Sequence, residues 1–261
     1  MGGFWGKLVR VNLSTKQITN EELSEQFFRT YYGGAAAIGY FLLKELPKGV
    51  EPLGPENKLI FAPGVITGVP ISGSGRNTIG AKSPLTNGIG KSEVGGFWGA
   101  ELKRAGIDIL IIEGKADYPV YLWINDDVIE IRDARHIWGQ TTKDTQERMI
   151  TELGENRIRT ALIGPGGERL VRYACIMNDL KHSAGRGGMG AVMGSKNLKG
   201  IAVLGSNKVP VEDRESVIRN AKWLAANYKN LVPALAKYGT GVAMTSYRDI
   251  GNLPVRNFRD G

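Results

Sequence analysis

The order of segments in this chain is written twice, and that repetition constrains the fold more than any single motif. Leu8 to Val11 and Gln17 to Thr19 flank the turn residues Asn12-Leu13-Ser14-Thr15-Lys16, as Val120 to Ile124 and Val128 to Arg132 flank Asn125-Asp126-Asp127. Both read as β-hairpins. A helix follows each: Glu21 to Leu46, interrupted at Gly33-Gly34 and ended by Pro47, and then Thr142 to Leu153. Lys58 to Ala62 is a short strand closed by Pro63-Gly64, and Arg159 to Ile163 is one closed by Gly164-Pro165-Gly166. Asn77 to Lys82 and Leu170 to Met177 read as further strands, and Gly88 to Gly96 and Gly185 to Gly190 as glycine loops. Phe97 to Arg104 and Ala191 to Asn197 form short helices before the apolar strands Ile107 to Glu113 and Gly200 to Leu204.

The anchors pair Val11-Asn12 with Ile124-Asn125, Pro63-Gly64 with Pro165-Gly166, Gly95-Gly96 with Gly187-Gly188, Gly99-Ala100 with Gly190-Ala191 and Gly114 with Gly205. The separation between partners falls from 113 to 102 to 91, as shorter loops in the second copy require. Chance similarity between glycine-rich loops is the alternative. A pseudo-twofold axis between the copies lets equivalent loops face one another, so a ligand with two like halves suits the site. The two copies, about 6–115 and 119–206, make a domain over 1–208, and 209–261 begins a helical region with helices expected at Glu212 to Ala225 and Lys229 to Tyr247 and an extended tail at Asn252 to Phe258.

The two glycine loops are where chemistry is expected. In Ser72-Gly73-Ser74-Gly75-Arg76-Asn77 and Gly88 to Gly96, backbone N–H groups can share a concavity, and Arg76 offers a fork for phosphate or, equally, a partner for a surface carboxylate. The second loop, His182-Ser183-Ala184-Gly185-Arg186-Gly187-Gly188-Met189-Gly190, contains G-x-G-x-x-G. It follows its strand too distantly, and no acid lies about 20 positions on, so a dinucleotide-binding unit is rejected. His182 is a phosphate donor or an ordinary loop histidine, and His136 is structural. Trp98 is expected in the core, and Cys175 on a strand as a buried thiol.

With 36 glycines the chain has almost twice the roughly 7% expected, collected between strands rather than spread as linker. One cysteine excludes an internal disulfide framework or a cysteine-only metal site, and two histidines leave no triad. The net charge of +8 comes without a Lys/Arg run, so a phosphate-bearing ligand or an acidic partner is favoured over nucleic acid. No signal-peptide core or membrane span is seen, and a soluble, cytoplasmic protein is expected. Any reaction must come from a bound cofactor or from another part of the protein.

Arg76 with Lys82-Ser83-Pro84-Leu85-Thr86, the run Gly95 to Lys103, and Ala184 to Gly188 leading into Gly190 to Lys199 resemble the aldehyde ferredoxin oxidoreductase family across essentially the whole chain. The resemblance implies an α+β fold: a β-rich duplicated domain of two intertwined strand–helix repeats related by a pseudo-twofold axis, followed by the start of a helical domain. It implies a tungsten (or molybdenum) bis-pterin, with Arg76, Asn77, Gly95 and Gly96 near one pterin and His182, Ser183, Gly185 and Arg186 near the other. A Mg ion would bridge the two phosphates through the backbone carbonyls of Glu93 and Ser183. Glu93 stands where the family usually has Asn, and His182 where it has Arg. The implied activity is oxidation of aldehydes to carboxylic acids, with electrons passing through a [4Fe–4S] cluster to ferredoxin or another electron-transfer subunit. Cluster cysteines and acid/base residues are expected downstream, in helical domains joined in cis or trans, so no catalytic residue is expected in these 261. A homodimer is allowed. The alternative is a non-catalytic scaffold or a degenerate paralogue without cofactor.

Overall fold

A computed structural model of the chain describes residues 2–260. Two compact units are present: one runs to Glu212 apart from Pro70–Ser72, and the other holds Pro70–Ser72 and the residues from Asp213 on. No helix among the described residues is long and apolar enough to cross a membrane.

The first unit contains two six-stranded sheets of identical topology. Sheet one is built from β1 (Lys7–Asn12), β2 (Gln17–Glu22), β3 (Leu59–Pro63), β4 (Asn77–Lys82), β5 (Ile89–Val94) and β6 (Ile109–Glu113), in the order β2-β1-β6-β3-β4-β5. Sheet two uses β7 (Val120–Asn125), β8 (Val128–Asp133), β9 (Arg159–Leu162), β10 (Ile176–Asn178), β11 (His182–Ala184) and β12 (Leu198–Leu204). Its order, β8-β7-β12-β9-β10-β11, is the same order shifted by six. In each sheet one parallel pair, β1–β6 or β7–β12, sits among antiparallel neighbours. The duplication read from element order is thus a duplication of topology.

Helices fill three layers. In sheet one, α1 (Glu25–Tyr31) and α2 (Gly34–Glu45) follow the hairpin, and in sheet two α4 (Thr142–Leu153) does. Leu8, Ile38, Phe41, Ile60 and Ile111 form an apolar cluster beneath α2, and Tyr121, Trp123, Met149, Leu162 and Ala202 form one beneath α4. The largest cluster joins both sheets through α3 (Trp98–Arg104) and α6 (Met189–Ser195), with Trp98, Leu102, Val192 and Met193 packed among Phe61, Leu110, Leu122 and Ile201. Trp98 is fully buried and donates its indole N–H to the Ile201 carbonyl, 3.1 Å away, so it ties the first copy to the second.

Each copy buries an ion pair, with the signs reversed. Counted along the ladders, Asp108, just before β6, is equivalent to Lys199 of β12. Asp108 pairs with Lys103 of α3, and Lys199 pairs with Glu168 of the short helix α5 (Pro165–Glu168). Lys196, at the end of α6, reaches into the first copy and donates to the carbonyls of Pro55 (3.3 Å), Gly114 (3.0 Å) and Asn57. Burial pushes its ammonium down to about 7.

Several local expectations are corrected. β2 runs on to Glu22, and Ser24, accepting from the Phe27 N–H, caps a helix that starts later than Glu21. Gly88 to Gly96 is largely strand, because Gly90, Ser92 and Val94 turn inward while Ile89, Lys91 and Glu93 face out. Leu170 to Met177 is mostly turn. The Ala174 carbonyl there accepts from the Gly190 N–H at 3.0 Å, so the backbone before β10 serves the start of α6, and only Ile176 and Met177 of the stretch join a ladder. Cys175 consequently lies outside the strand and is half-buried. By ladder register, the position equivalent to Pro63 is Ile163, two residues before Pro165.

In the second unit α7 (Arg214–Leu231) is capped by Asp213, whose carboxylate accepts from the Ser216 N–H at 2.8 Å. Val232 and Pro233 end it, and α8 (Pro233–Tyr238), a 3-10 turn (Gly239–Ala243) and α9 (Met244–Asp249) replace the single second helix expected. The tail is not extended: Arg256, Asn257 and Phe258 all have positive φ.

Candidate functional site

The edge strands β5 and β11, one from each sheet, meet along a seam. Across it the Arg186 N–H donates to Ser92 Oγ at 3.1 Å, and Ser83 Oγ donates to the Gly187 carbonyl at 2.9 Å. Gly90 allows the approach, since a Cβ there would stand 2.9 Å from Met189 Cε and 2.8 Å from Ser83 Cβ.

The register fixes which residues are equivalent. Asn12 and Asn125 occupy matching places in β1 and β7, and following the pairs through β6, β3 and β4, and through β12, β9 and β10, leads to matched edges. Ser92 corresponds to His182 and Glu93 to Ser183. Counting outward, Lys91 then corresponds to Lys181, Gly95 to Gly185 and Gly96 to Arg186.

Two cavities lie on the seam. One, of about 540 Å³, is lined by Lys91, Ser92, Glu93, Ser183, Gly185 and Arg186. The other, of about 450 Å³, includes their counterparts Lys181, His182, Ser183, Glu93, Gly95 and Gly96, and adds Arg76 with Gly73, Gly75 and Val94. Each lining residue of the first therefore has its equivalent in the second. Glu93 and Ser183, equivalent to one another by register, are shared by both.

The chemistry of the surface is cationic with a polar backbone. Arg76, Lys91, Lys181 and Arg186 border the cavities, and Glu93 is the carboxylate among the lining residues. Lys91 pairs with Glu93 at 2.9 Å, and that hydrogen bond, helped by the field of Arg76, holds the Glu93 carboxyl below the usual range. Arg76 and Arg186 are exposed, and neither makes an ion pair among the described residues, so both guanidinium forks face solvent at the cavity edge. The His182 ring lies on the Gly95–Gly96 backbone, where a Cβ on Gly95 would be 3.4 Å from Nδ1 and one on Gly96 3.0 Å from Cδ2. Gly96 has φ +92°, a conformation that disfavours any side chain. Among the described residues no group of three or more His, Cys, Asp and Glu gathers into a metal-ligand set.

Of the residues singled out in the sequence, Arg76, Glu93, Gly95, Gly96, His182, Ser183, Gly185 and Arg186 are brought together here. Asn77 is not among the lining residues. It is buried beneath the floor, with its Oδ1 accepting from Asn178 Nδ2 at 3.3 Å. Lys91, Ser92 and Lys181 were missed. The signal for them was the in–out alternation of β5, hidden by reading that stretch as loop.

The sequence profile described as "Aldehyde ferredoxin oxidoreductase, N-terminal domain" matches residues 8–205. The tungsten-containing aldehyde ferredoxin oxidoreductase of Pyrococcus furiosus is 47% identical over 264 residues, covering 100% of this chain and 44% of that protein. The aliphatic sulfonate oxidoreductase, WOR-like subunit, of the same organism is 39% identical, again over 100% of this chain and 44% of its own length. Among solved structures, the active site complex BamBC of benzoyl coenzyme A reductase, in complex with 1,5 dienoyl-CoA, superimposes with a TM-score of 0.84. Its identity is 38%, and the match covers 88% of this chain and 35% of that one. The chain thus spans less than half the length of these relatives.

Proposed function

The chain belongs to the aldehyde ferredoxin oxidoreductase family, and on that premise we propose that the β5–β11 seam cradles the phosphate-bearing ends of a tungsten (or molybdenum) bis-pterin. One observation carries the reading: two cavities, the first of which has the equivalent of each of its lining residues in the second, suit a cofactor made of two like halves. The residues present fit such a group. Two glycines leave one floor bare, and four cationic side chains around a single carboxylate favour phosphate. Arg76, Gly95, Gly96, Lys181 and His182 would hold one half, and Lys91, Gly185 and Arg186 the other. Backbone carbonyls of Glu93 and Ser183, shared by both, would serve a Mg ion between the phosphates.

In the whole protein the bound metal would supply a two-electron oxidation of aldehydes to carboxylic acids, with electrons passing through an iron–sulfur cluster to ferredoxin. The part this chain takes is binding and orientation. Its cationic side chains would draw the phosphates to the seam, and the double-sided core beneath keeps the two halves in register. Protein purified from cells supplied with tungstate should carry metal and two pterins for each metal atom, measured by elemental analysis and by fluorescence of the released pterin. Arg76→Ala and Arg186→Ala should each lower occupancy several-fold at an unchanged urea midpoint, because neither arginine makes an ion pair among the described residues. Purified protein free of tungsten, molybdenum and pterin would refute the reading.

A further inference from the structure

The two halves of the seam differ in one respect that their equivalence makes visible. In the cavity beside Arg186, the Arg186 N–H is already used, donating to Ser92 Oγ. Its counterpart, the Gly96 N–H, has no acceptor among the described residues. What replaces that bond is a pair of consecutive side chains from the other copy. Asn178 Nδ2 donates to the Gly95 carbonyl at 3.4 Å, and Asp179 Oδ2 accepts from the Phe97 N–H at 3.2 Å. They bracket the Gly95–Gly96–Phe97 backbone from beneath. The peptide joining Gly95 to Gly96 is planar and trans, so its C=O and N–H point in opposite directions. With the carbonyl tied down to buried Asn178, the Gly96 N–H is turned the other way, away from Asn178, and Gly96 is one of the residues lining the cavity.

The local structure carries signs of a cost accepted for this arrangement. Asn77 and Asn178 are 2% and 0% exposed, and Asn77 Nδ2 and Asn178 Oδ1 have no hydrogen-bond partner among the described residues. Unpartnered amide atoms in a core lower stability, and native proteins keep few of them. The position equivalent to Asn178 in the first copy is Ile79, so the fold itself accepts an apolar residue there. Asp179 and Leu180 form the tight turn between β10 and β11 at φ +50° and +60°, where leucine is disfavoured. Asp179 also accepts from the Thr160 N–H at 3.1 Å, which fixes the turn to β9 and aims its second oxygen at Phe97.

We propose that Asn178 and Asp179 are positioning residues that hold the Gly96 N–H toward the cavity as a backbone donor for an anion, making the Gly95–Gly96 half the tighter of the two anion sites. The proposal rests on the reading of the seam as a phosphate cradle. Inorganic pyrophosphate is the probe, titrated into the 15N-labelled chain and followed by the Gly96 amide resonance, with urea unfolding measured in parallel. In the wild-type chain the Gly96 amide should shift on titration. Asn178→Leu should weaken binding about tenfold and abolish that shift without lowering the urea midpoint. Asp179→Ala should act likewise, whereas Asp179→Asn, whose single amide oxygen can serve only one of the Phe97 and Thr160 N–H donors, should fall between Asp179→Ala and the wild type. A purely structural role predicts the reverse for Asn178→Leu, a lower midpoint with unchanged affinity. Wild-type affinity and an unaltered Gly96 shift in both Asn178→Leu and Asp179→Ala would overturn the positioning role and leave the cradle standing. A wild-type chain that binds no pyrophosphate would overturn the cradle, and the positioning role with it.

Discussion

Replacing Lys199 by methionine should cost this chain about 3–4 kcal/mol at pH 7 and far less at pH 5. The Lys199 and Glu168 side chains are 0% and 4% exposed, so the pair is closed to water. Lys199 also donates to the Gln140 carbonyl at 2.8 Å, and the second Glu168 oxygen accepts from the Gly139 N–H at 2.8 Å. Without the ammonium, Glu168 keeps that single backbone donor. Removing one partner of a buried pair costs about 3–5 kcal/mol. A carboxyl has an escape, however, which is to take up a proton. Starting from an ordinary glutamate near 4.3, that step costs about 3.7 kcal/mol at pH 7 and about 1 kcal/mol at pH 5. It sets a ceiling on the electrostatic penalty. The sign follows from linkage: the variant raises the folded-state pKa of Glu168, so its penalty is largest at high pH and disappears as pH falls to the unfolded-state value. Urea unfolding of the wild-type chain, Lys199→Met and Lys199→Met/Glu168→Gln at both pH values measures this. The double variant should recover most of the loss, since the glutamine oxygen still accepts from Gly139. Lys103→Met should cost less than Lys199→Met, because Asp108 retains two backbone donors, Trp5 N–H at 2.8 Å and Lys7 N–H at 3.0 Å. A penalty equal at pH 5 and pH 7, and equal in single and double variants, would refute the electrostatic reasoning and assign the loss to the packing of the lysine stem.

Two further outcomes are expected. Gly96→Ala places a Cβ at φ +92° and 3.0 Å from His182 Cδ2, and should lower stability by about 1–3 kcal/mol in urea unfolding; His182→Ala in the same chain should recover only the contact part, leaving the backbone part in place. Lys196, pushed by burial from 10.5 to about 7, binds its proton less well folded than unfolded, so its contribution should grow as pH rises from about 7 toward 10.5; over that range the wild-type urea midpoint should gain on that of Lys196→Met, and parallel pH profiles would show that the ammonium stays fully charged.

What the sequence revealed, and what it hid, follows from which forces act locally. The helix at Thr142–Leu153 is legible to the residue, because Thr141 caps it and Gly154, at φ +67°, ends it. The hairpins are legible from alternation bounded by turn residues. β5 is not, since its inward residues are Gly90, Ser92 and Val94, small because the other copy presses against them. Apolar periodicity cannot announce a strand whose inner face must be small and partly polar. The stretch from Leu170 fails for the opposite reason: it looks like a strand, but its carbonyls are claimed by the glycines that start α6, where a Cβ on Gly188 would lie 2.0 Å from the Arg172 oxygen.

The site was legible as two glycine loops facing one another, but not as a matched pair of edges. Glycine spacing set Gly95-Gly96 against Gly187-Gly188, whereas the ladders match Gly95 with Gly185. The second copy holds one extra residue between strand and helix, since α3 and α6 are 91 apart while the edges are 90 apart, and the glycine pairing, at 92, overshoots the edges by two. That shift decides the chemistry. Under the correct register the shared positions are Glu93 and Ser183, a carboxylate opposite a hydroxyl, and Ser92 stands opposite His182. The copies agree in backbone and disagree in charge here, as they do in the core at Asp108 and Lys199. Duplication therefore supplies two matched edges, and divergence gives them different side chains, Gly95 and Gly96 on one and Gly185 and Arg186 on the other. A symmetric ligand seated there, as proposed, would meet an asymmetric field, and its two ends would be held with unequal strength.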